Sequence, residues 1–149
     1  MAGHPDNEPI LGYAPGSEER ALLQAEIDRQ IGEVVEIPCI INGEEVYSGV
    51  TTTQVIPHDH GHIIANVHLA GRAEIEAACD AAVQAQQDWI DLGLEGRCAV
   101  FERCADLLAG DWRMRVNAAT MLNQSKTAFQ AEIDAACELI DFWRFNCHY

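Results

Sequence analysis

Basic residues are scarce in this sequence of 149 residues, where nine Lys and Arg stand against 24 Asp and Glu. The formal net charge is −15 at pH 7, and an electrostatic field of this sign repels phosphate backbones. The same field opposes docking on anionic membranes. We therefore expect neither nucleic acid nor a membrane as a partner.

Long apolar runs are missing as well. No stretch approaches the roughly 20 apolar residues that cross a bilayer. The N-terminus reads Met-Ala-Gly-His-Pro-Asp-Asn-Glu-Pro, without the basic start and apolar centre of a signal peptide. Hydrophobic residues make up 48% and charged residues 22%, which is typical of a globular domain. We expect a soluble protein, located in the cytoplasm or in a matrix whose targeting segment lies outside this sequence.

Cysteine pairs with the spacing CxxC are absent, although there are six cysteines. Because no export signal accompanies them, we expect free thiols in a reducing compartment and no disulfide framework. Cys79, Cys98, Cys104 and Cys137 lie in helix-periodic segments, where a free cysteine packs as a small hydrophobic residue.

Several motifs of enzyme chemistry are also absent. There is no G-x-G-x-x-G, and no Ser or Cys occupies a nucleophile-elbow context. The segment Ser125-Lys-Thr127 lacks the glycines with which a phosphate-binding loop wraps its ligand. The residues themselves therefore assign no catalytic group and no cofactor-binding group to this chain.

A histidine cluster, His58-Asp-His-Gly-His62, is the most conspicuous possible metal site. Three imidazoles on one face of a strand could bind zinc or nickel. However, a closed site needs a fourth ligand, and an open site needs acceptors that orient the imidazoles. Because the segment is typical of a turn between strands, we assign no metal site.

Local signals predict the order of elements. Residues 1–16 are proline-rich and read as an extended arm, and Ser17 is a good N-cap for a helix that stops at Gly32. Asn42-Gly43 predicts a β-hairpin. Strands over 51–57 and 63–69, connected by 58–62, complete a predicted antiparallel β region at 37–69.

Four helices are predicted to follow, which gives an α/β fold. They begin near residues 73 and 95, after Asp111 as an N-cap, and at Thr127, which forms a capping box with Gln130. The last helix carries apolar residues to its end: Ile133, Ala136, Cys137, Ile140, Phe142, Trp143, Phe145 and Tyr149. Four half-exposed aromatic rings would leave roughly 300–500 Å² of apolar surface. We interpret this as a helix separated from its packing partners.

The same helix carries four carboxylates: Glu132, Asp134, Glu138 and Asp141. Carboxylates flanked by aromatic rings can serve as general acids or bases. The usual alternative is a solvated helix face, and we favour that interpretation for the set.

Read as strings, five segments resemble the aldehyde dehydrogenase superfamily and, within it, the 1-pyrroline-5-carboxylate dehydrogenase family. They are Asn7-Glu-Pro, Ile41-Asn-Gly-Glu-Glu-Val, Val55-Ile-Pro-His-Asp-His-Gly-His, Arg97-Cys-Ala-Val-Phe-Glu-Arg-Cys-Ala-Asp-Leu-Leu-Ala-Gly and Gln130-Ala-Glu-Ile-Asp-Ala-Ala-Cys-Glu-Leu-Ile-Asp-Phe-Trp-Arg-Phe-Asn. The second and fourth are general to the superfamily, whereas the fifth points to this one family. The resemblance covers essentially the whole chain.

The resemblance implies an enzyme three to four times longer, with an NAD-binding domain, a catalytic domain and an oligomerisation flap. It would oxidise L-glutamate γ-semialdehyde with NAD, in proline degradation, through a cysteine thiolate that lies downstream of residue 149. Residues 17–149 would be the N-terminal portion of the NAD-binding domain, ending within or just after its last helix. The chain's partners would be the remainder of the same enzyme and a small-molecule substrate, and the complete enzyme would be a homo-oligomer.

Only Glu138 is carried over as a site residue, because in this family its helix borders the substrate entrance. The resemblance implies a substrate-binding role for it. A free-standing helical interaction or regulatory module without catalysis is the alternative, and the length of the native gene product distinguishes the two.

Overall fold

The computed structural model describes residues 4–149, so the first three residues of the predicted arm lie outside the described range. Residues 4–14 form neither helix nor strand. The elements that follow are α1 (Glu18–Ile31), β1 (Val35–Ile37), β2 (Cys39–Ile41), β3 (Glu44–Val46), β4 (Thr51–Ile56), β5 (Asp59–His68), α2 (Arg72–Asp91), α3 (Gly93–Ala109), α4 (Arg113–Gln124), α5 (Ala128–Ala131), a π-helical segment (Glu132–Cys137) and α6 (Glu138–His148). The α/β class is confirmed.

Helix α1 begins and ends as its sequence predicts. The Ser17 hydroxyl accepts the Arg20 N–H at 3.4 Å, which satisfies one of the free donors of the first turn. At the other end, the Gly32 N–H reaches the carbonyl oxygens of Asp28 and Arg29. The side chain of Leu23 is buried in a cluster with Tyr13 of the arm and Ala118 of α4. Helix α1 therefore lies on α4 and helps to hold the arm.

The β region confirms the hairpin and corrects two other predictions. Strands β2 and β3 pair around Asn42 and Gly43, whose φ angles are 53° and 79°, as a type I′ turn requires. A second sheet has the order β1-β5-β4, and β1 pairs parallel to β5. The prediction that the whole β region is antiparallel is therefore wrong, because β1 lies beside a strand that follows it only after a long connection.

The predicted connection at 58–62 is also wrong. Strand β5 begins at Asp59, and Asp59 pairs with Ile56, so that Pro57 and His58 alone form the turn. The ladder continues because exposed His and Gly residues need no apolar partner there, and backbone hydrogen bonds suffice.

The helices after the sheet form the main apolar core. Gly93, with φ 66°, forms the corner between α2 and α3. Buried side chains of α3 pack against the π segment and α6, in a cluster of Ala105, Leu108, Ala136 and Ile140. Asp111 does not cap α4. The residue directly before this helix is Trp112, which already has helical backbone angles (φ −92°, ψ −12°), and no side chain caps the N-terminus. That prediction is wrong.

The last helix begins with the predicted capping box, in which the Thr127 hydroxyl accepts the Gln130 N–H and the Gln130 side chain accepts the Thr127 N–H. Its apolar stripe is only partly exposed. Ile140 is fully buried against α3, whereas Phe142 and Tyr149 keep 60% and 87% of their surface exposed. Helix α3 thus covers one side of a stripe that was expected to lack partners.

Helix α2 differs from its neighbours, since every one of its side chains keeps exposed or partly exposed surface within residues 4–149. Cys79, predicted to be buried, is exposed on this helix. Each of the six cysteines carries a free thiol. Within residues 4–149, no helix combines the length and the apolar character that a membrane crossing demands.

Candidate functional site

A π-helical segment between α5 and α6 shapes the candidate site. In an α-helix, residues five apart lie on different faces, but the i→i+5 pattern of Glu132–Cys137 brings its two ends to the same side. Both residues are buried, and the Cys137 thiol lies 3.7 Å from Glu132 Oε1. Short π segments inside α-helices occur often at functional sites, and Glu138 follows this one directly.

Glu132 is fully buried, which corrects the prediction that all four carboxylates of the helix lie on a solvated face. The Arg113 guanidinium forms two hydrogen bonds with it. Tyr13 Oη donates at 2.6 Å, and the Asn117 side-chain amide donates at 2.8 Å. The N–H of Leu11 donates at 2.7 Å. These donors offset the free-energy cost of burying the carboxylate away from water.

Electrostatics in this cluster favours one protonation state. Burial opposes ionisation of Glu132, but the hydrogen bonds from Arg113, Tyr13 and the Leu11 N–H outweigh it and lower its pKa. Burial and the neighbouring Glu132 raise the pKa of Tyr13 well above its usual value. Burial, followed by the same carboxylate, raises the pKa of Cys137 to about 11. Cys137 therefore stays a thiol at neutral pH, which suits a structural residue rather than a nucleophile.

The cluster ties the N-terminal arm to the helices. Arg113 Nη1 donates to Glu8 at 2.6 Å, and Arg113 Nη2 donates to the Pro9 carbonyl at 2.7 Å. Arg144 Nη1 donates to the other oxygen of Glu8 at 2.7 Å. Arg113 itself is 5% exposed, so these contacts are little screened by solvent. The arm is thereby held along the face of the helix on which Glu138 lies.

Beside the arm lies an open groove of about 290 Å³, lined by Asn7, Glu138, Asp141, Phe142 and Phe145. Asp141 accepts hydrogen bonds from the Asn7 amide and the Glu8 N–H, both at 2.7 Å. Within residues 4–149, the Glu138 carboxylate makes no hydrogen bond and no ion pair. An exposed carboxylate without an internal partner, beside phenyl rings, can accept hydrogen bonds from a cationic ligand.

The remaining predicted residues lie elsewhere. Asp134 pairs with Lys126 at the surface. His58 Nδ1 contacts Ser125 Oγ at 2.9 Å, whereas His62 Nε2 contacts the Ile31 carbonyl at 2.9 Å. In the part of the chain that the structure describes, no group of three or more His, Cys, Asp or Glu is placed to hold a metal ion.

Sequence reasoning missed the partners of Glu132 altogether. Tyr13 and Glu132 are 119 positions apart, and Arg113 lies 19 positions before Glu132. The spacing of Arg113 and Asn117, four residues apart on α4, was the available signal, because it places these two polar side chains on the same face of the helix.

Comparisons with known proteins agree with this architecture. The model of the aldehyde dehydrogenase family matches residues 46–149, and the chain belongs to that family. It is 45% identical over 144 residues to the delta-1-pyrroline-5-carboxylate dehydrogenase of Agaricus bisporus, covering 96% of this chain and 26% of that protein. It is 41% identical over 143 residues to the mitochondrial enzyme of that name from Homo sapiens, covering 96% of this chain and 25% of the human protein.

A solved structure shows the same fold. The delta-pyrroline-5-carboxylate dehydrogenase from Mycobacterium tuberculosis, bound with NAD and cobalamin, superposes with a TM-score of 0.96 at 45% identity. The superposition covers 99% of this chain and 28% of that one. The fold is therefore that of the N-terminal part of such an enzyme, and the chain spans about a quarter of the length of the relatives it matches.

Proposed function

We propose that this chain is the N-terminal part of an NAD-dependent dehydrogenase that oxidises L-glutamate γ-semialdehyde, the open form of 1-pyrroline-5-carboxylate, to glutamate in proline degradation. The observation that carries the proposal is identity of 41–45% along 96% of the chain with relatives of that name. Residues 1–16 would be the arm, and residues 17–149 the N-terminal portion of the NAD-binding domain. The complete enzyme would be a homo-oligomer, and the cytoplasm its location.

NAD would be held by other parts of such an enzyme. Residues 4–149 contain no glycine-rich loop leading into a helix, which a dinucleotide phosphate requires. The groove beside Glu138 is walled by Glu138 and Asp141, and their negative charge repels a pyrophosphate. We therefore assign no NAD contact to this chain.

Glu138 is the residue that we assign to the substrate. Its carboxylate faces a groove with two phenyl rings, and Asp141 is already engaged by Asn7 and the Glu8 N–H. A carboxylate placed in this way suits the α-ammonium group of an amino-acid aldehyde, to which it offers a charge-assisted hydrogen bond. Its role is to orient the amino-acid end of the substrate, and it takes no part in bond breaking.

The experiment is Glu138→Ala in the complete enzyme, with Asp134→Ala as the matched control, because Asp134 lies four residues earlier and pairs with Lys126 at the surface. Loss of a charge-assisted hydrogen bond costs about 1–3 kcal/mol. The KM for the semialdehyde should rise about 5- to 150-fold, while the KM for NAD stays the same. Unchanged kinetics for both substrates would return Glu138 to the solvated face of the helix.

The 149-residue chain alone should produce no NADH from the semialdehyde. Two of its thiols, Cys137 and Cys147, have pKa values raised to about 11, chiefly by burial, so neither supplies a thiolate at neutral pH. The measurement is absorbance of NADH with purified chain, semialdehyde and NAD. Turnover above the buffer rate would contradict the assignment of catalysis to other parts of the enzyme.

A further inference from the structure

Two of the six thiols meet between helices that are far apart in the sequence. Cys98 lies near the start of α3, and Cys147 lies near the end of α6. Cys98 Sγ is 3.8 Å from the Cys147 carbonyl oxygen, and Cys147 Sγ is 3.7 Å from the Cys98 carbonyl oxygen. This reciprocal arrangement directs both side chains into the same space between the two helices. A side-chain hydrogen bond between the two thiols contributes to the raised pKa of Cys147, after burial.

The pair is accessible, and its backbones are fixed. Both cysteines are partly exposed, so small reagents can reach them. Their helices are packed together through Leu108 and Ile140 of the core, so the two thiols cannot easily separate. The four other cysteines have different surroundings: Cys39 contacts the His68 carbonyl, Cys137 lies in the Glu132 cluster, Cys79 is exposed on α2, and Cys104 lines an apolar cavity with Leu108 and Trp112.

We propose that Cys98 and Cys147 form a dithiol site that a peroxide oxidises to an intramolecular disulfide joining α3 to α6. This inference does not depend on the proposed dehydrogenase activity. It concerns a modification site between α3 and α6, and neither cysteine lines the groove at Glu138.

The chemistry is balanced by one peroxide. One of the thiols, as its thiolate, attacks a peroxide oxygen; the O–O bond breaks, a sulfenic acid forms and hydroxide leaves. The neighbouring thiolate then attacks the sulfenic sulfur; the S–S bond forms, the S–O bond breaks and a second hydroxide leaves. The two thiol protons convert these hydroxides to water. Two electrons pass from the sulfurs to the peroxide.

The raised pKa of Cys147, about 11, fixes the expected pH dependence. Its thiolate fraction grows as the pH rises towards that value, because deprotonation is the limiting condition for attack. Disulfide formation should therefore be faster at pH 9 than at pH 7, by about a hundredfold if attack by Cys147 limits the rate.

The test uses the full 149-residue chain treated with hydrogen peroxide at roughly equal concentration. We expect the loss of two thiols and two hydrogen atoms per chain, and a peptide that links the segments containing Cys98 and Cys147. The thermal midpoint should rise by about 5–10 °C and return when a reductant is added. Cys98→Ser should abolish the link, whereas Cys79→Ser should leave it unchanged.

A second probe works without variants and covers the case in which Cys98→Ser fails to fold. Phenylarsine oxide bridges two neighbouring thiols and should bind the wild-type chain one to one, protecting Cys98 and Cys147 from later alkylation. The proposal is overturned if both residues stay alkylatable after arsenical and peroxide. It is equally overturned if peroxide yields only sulfinic or sulfonic acids, links between different chains, or a pair that includes another cysteine.

Discussion

The arm–helix cluster around Glu132 and the exposed helix α2 show opposite ways of using similar residues. Both contain acids and bases at helical spacing, and both contain apolar positions at helical spacing. In the first, Glu132 and Arg113 are buried and joined to the arm. In α2, Arg72 and Glu76 form an exposed pair, and Val83 is 71% exposed.

The contrast shows which elements find their packing and hydrogen-bond partners within residues 4–149. The arm, α4, the π segment and α6 satisfy one another with charges, hydrogen bonds and apolar contacts from positions up to 136 residues apart. Helix α2 presents Ile75, Val83 and Ile90 without a cover inside residues 4–149. Its stability rests on its own hydrogen bonds and on few tertiary contacts, such as that of Trp89 with Phe101 of α3, and an isolated helix is only marginally stable in water.

The largest expected effect is that of Glu132→Ala. It leaves the Arg113 guanidinium buried without its main counter-charge and removes the acceptor of Tyr13 and Asn117. Breaking a buried pair in this way costs about 3–5 kcal/mol. The measurement is the free energy of unfolding from urea titration.

The matched control is Asp134→Ala, on the same helix. Asp134 pairs with Lys126 at the surface, where an ion pair contributes about 0–1 kcal/mol. Equal losses for the two variants would contradict the contrast between a buried and an exposed carboxylate.

The second effect compares two apolar truncations, Leu108→Ala in the α3–α6 core and Val83→Ala on α2. Leu108 is 4% exposed and packs in the main core, so its truncation leaves a cavity and costs about 2–5 kcal/mol. Val83 is 71% exposed, so its truncation should change the free energy of unfolding by no more than about 0.5 kcal/mol. A large loss at Val83 in this chain would mean that α2 is covered, for example by association of chains, which sedimentation would detect.

The features that the sequence predicted are local, and those that it missed depend on residues far apart in the chain. Ser17, the Asn42-Gly43 turn and the Thr127–Gln130 capping box were predictable because each motif is complete within four residues. Their hydrogen bonds depend on local backbone geometry, so no distant partner can change them.

The missed features depend on distant partners. Burial of Glu132 requires Tyr13 from the arm and Arg113 from α4, and parallel pairing of β1 requires a strand that begins 22 residues after β1 ends, from Ile37 to Asp59. Periodicity places a residue on a face of its own helix but does not say what that face meets. The candidate role of Glu138 came from family resemblance, and it stays a prediction.

The smallest expected effect concerns acid, and it separates Glu132 from the carboxylates of α2. The pKa of Glu132 in the folded chain is lowered from its usual 4.5, although burial alone would raise it. A carboxylate of this kind stabilises the fold at pH values above 4.5. This contribution is lost as the pH falls through the folded-state pKa, because the unfolded chain binds the proton first.

Glu132→Gln should therefore be less stable than wild type at pH 7, and the difference in the free energy of unfolding should narrow below pH 4.5. Glu76→Gln on α2 is the matched control, because Glu76 pairs with Arg72 at the surface, where an ion pair contributes about 0–1 kcal/mol. Urea titrations of the three proteins between pH 3 and pH 7 measure the differences. If wild type instead gained stability over Glu132→Gln as the pH fell from 7 towards 4.5, Glu132 would be protonated in the folded chain, and the buried ion pair with Arg113 would have to be abandoned.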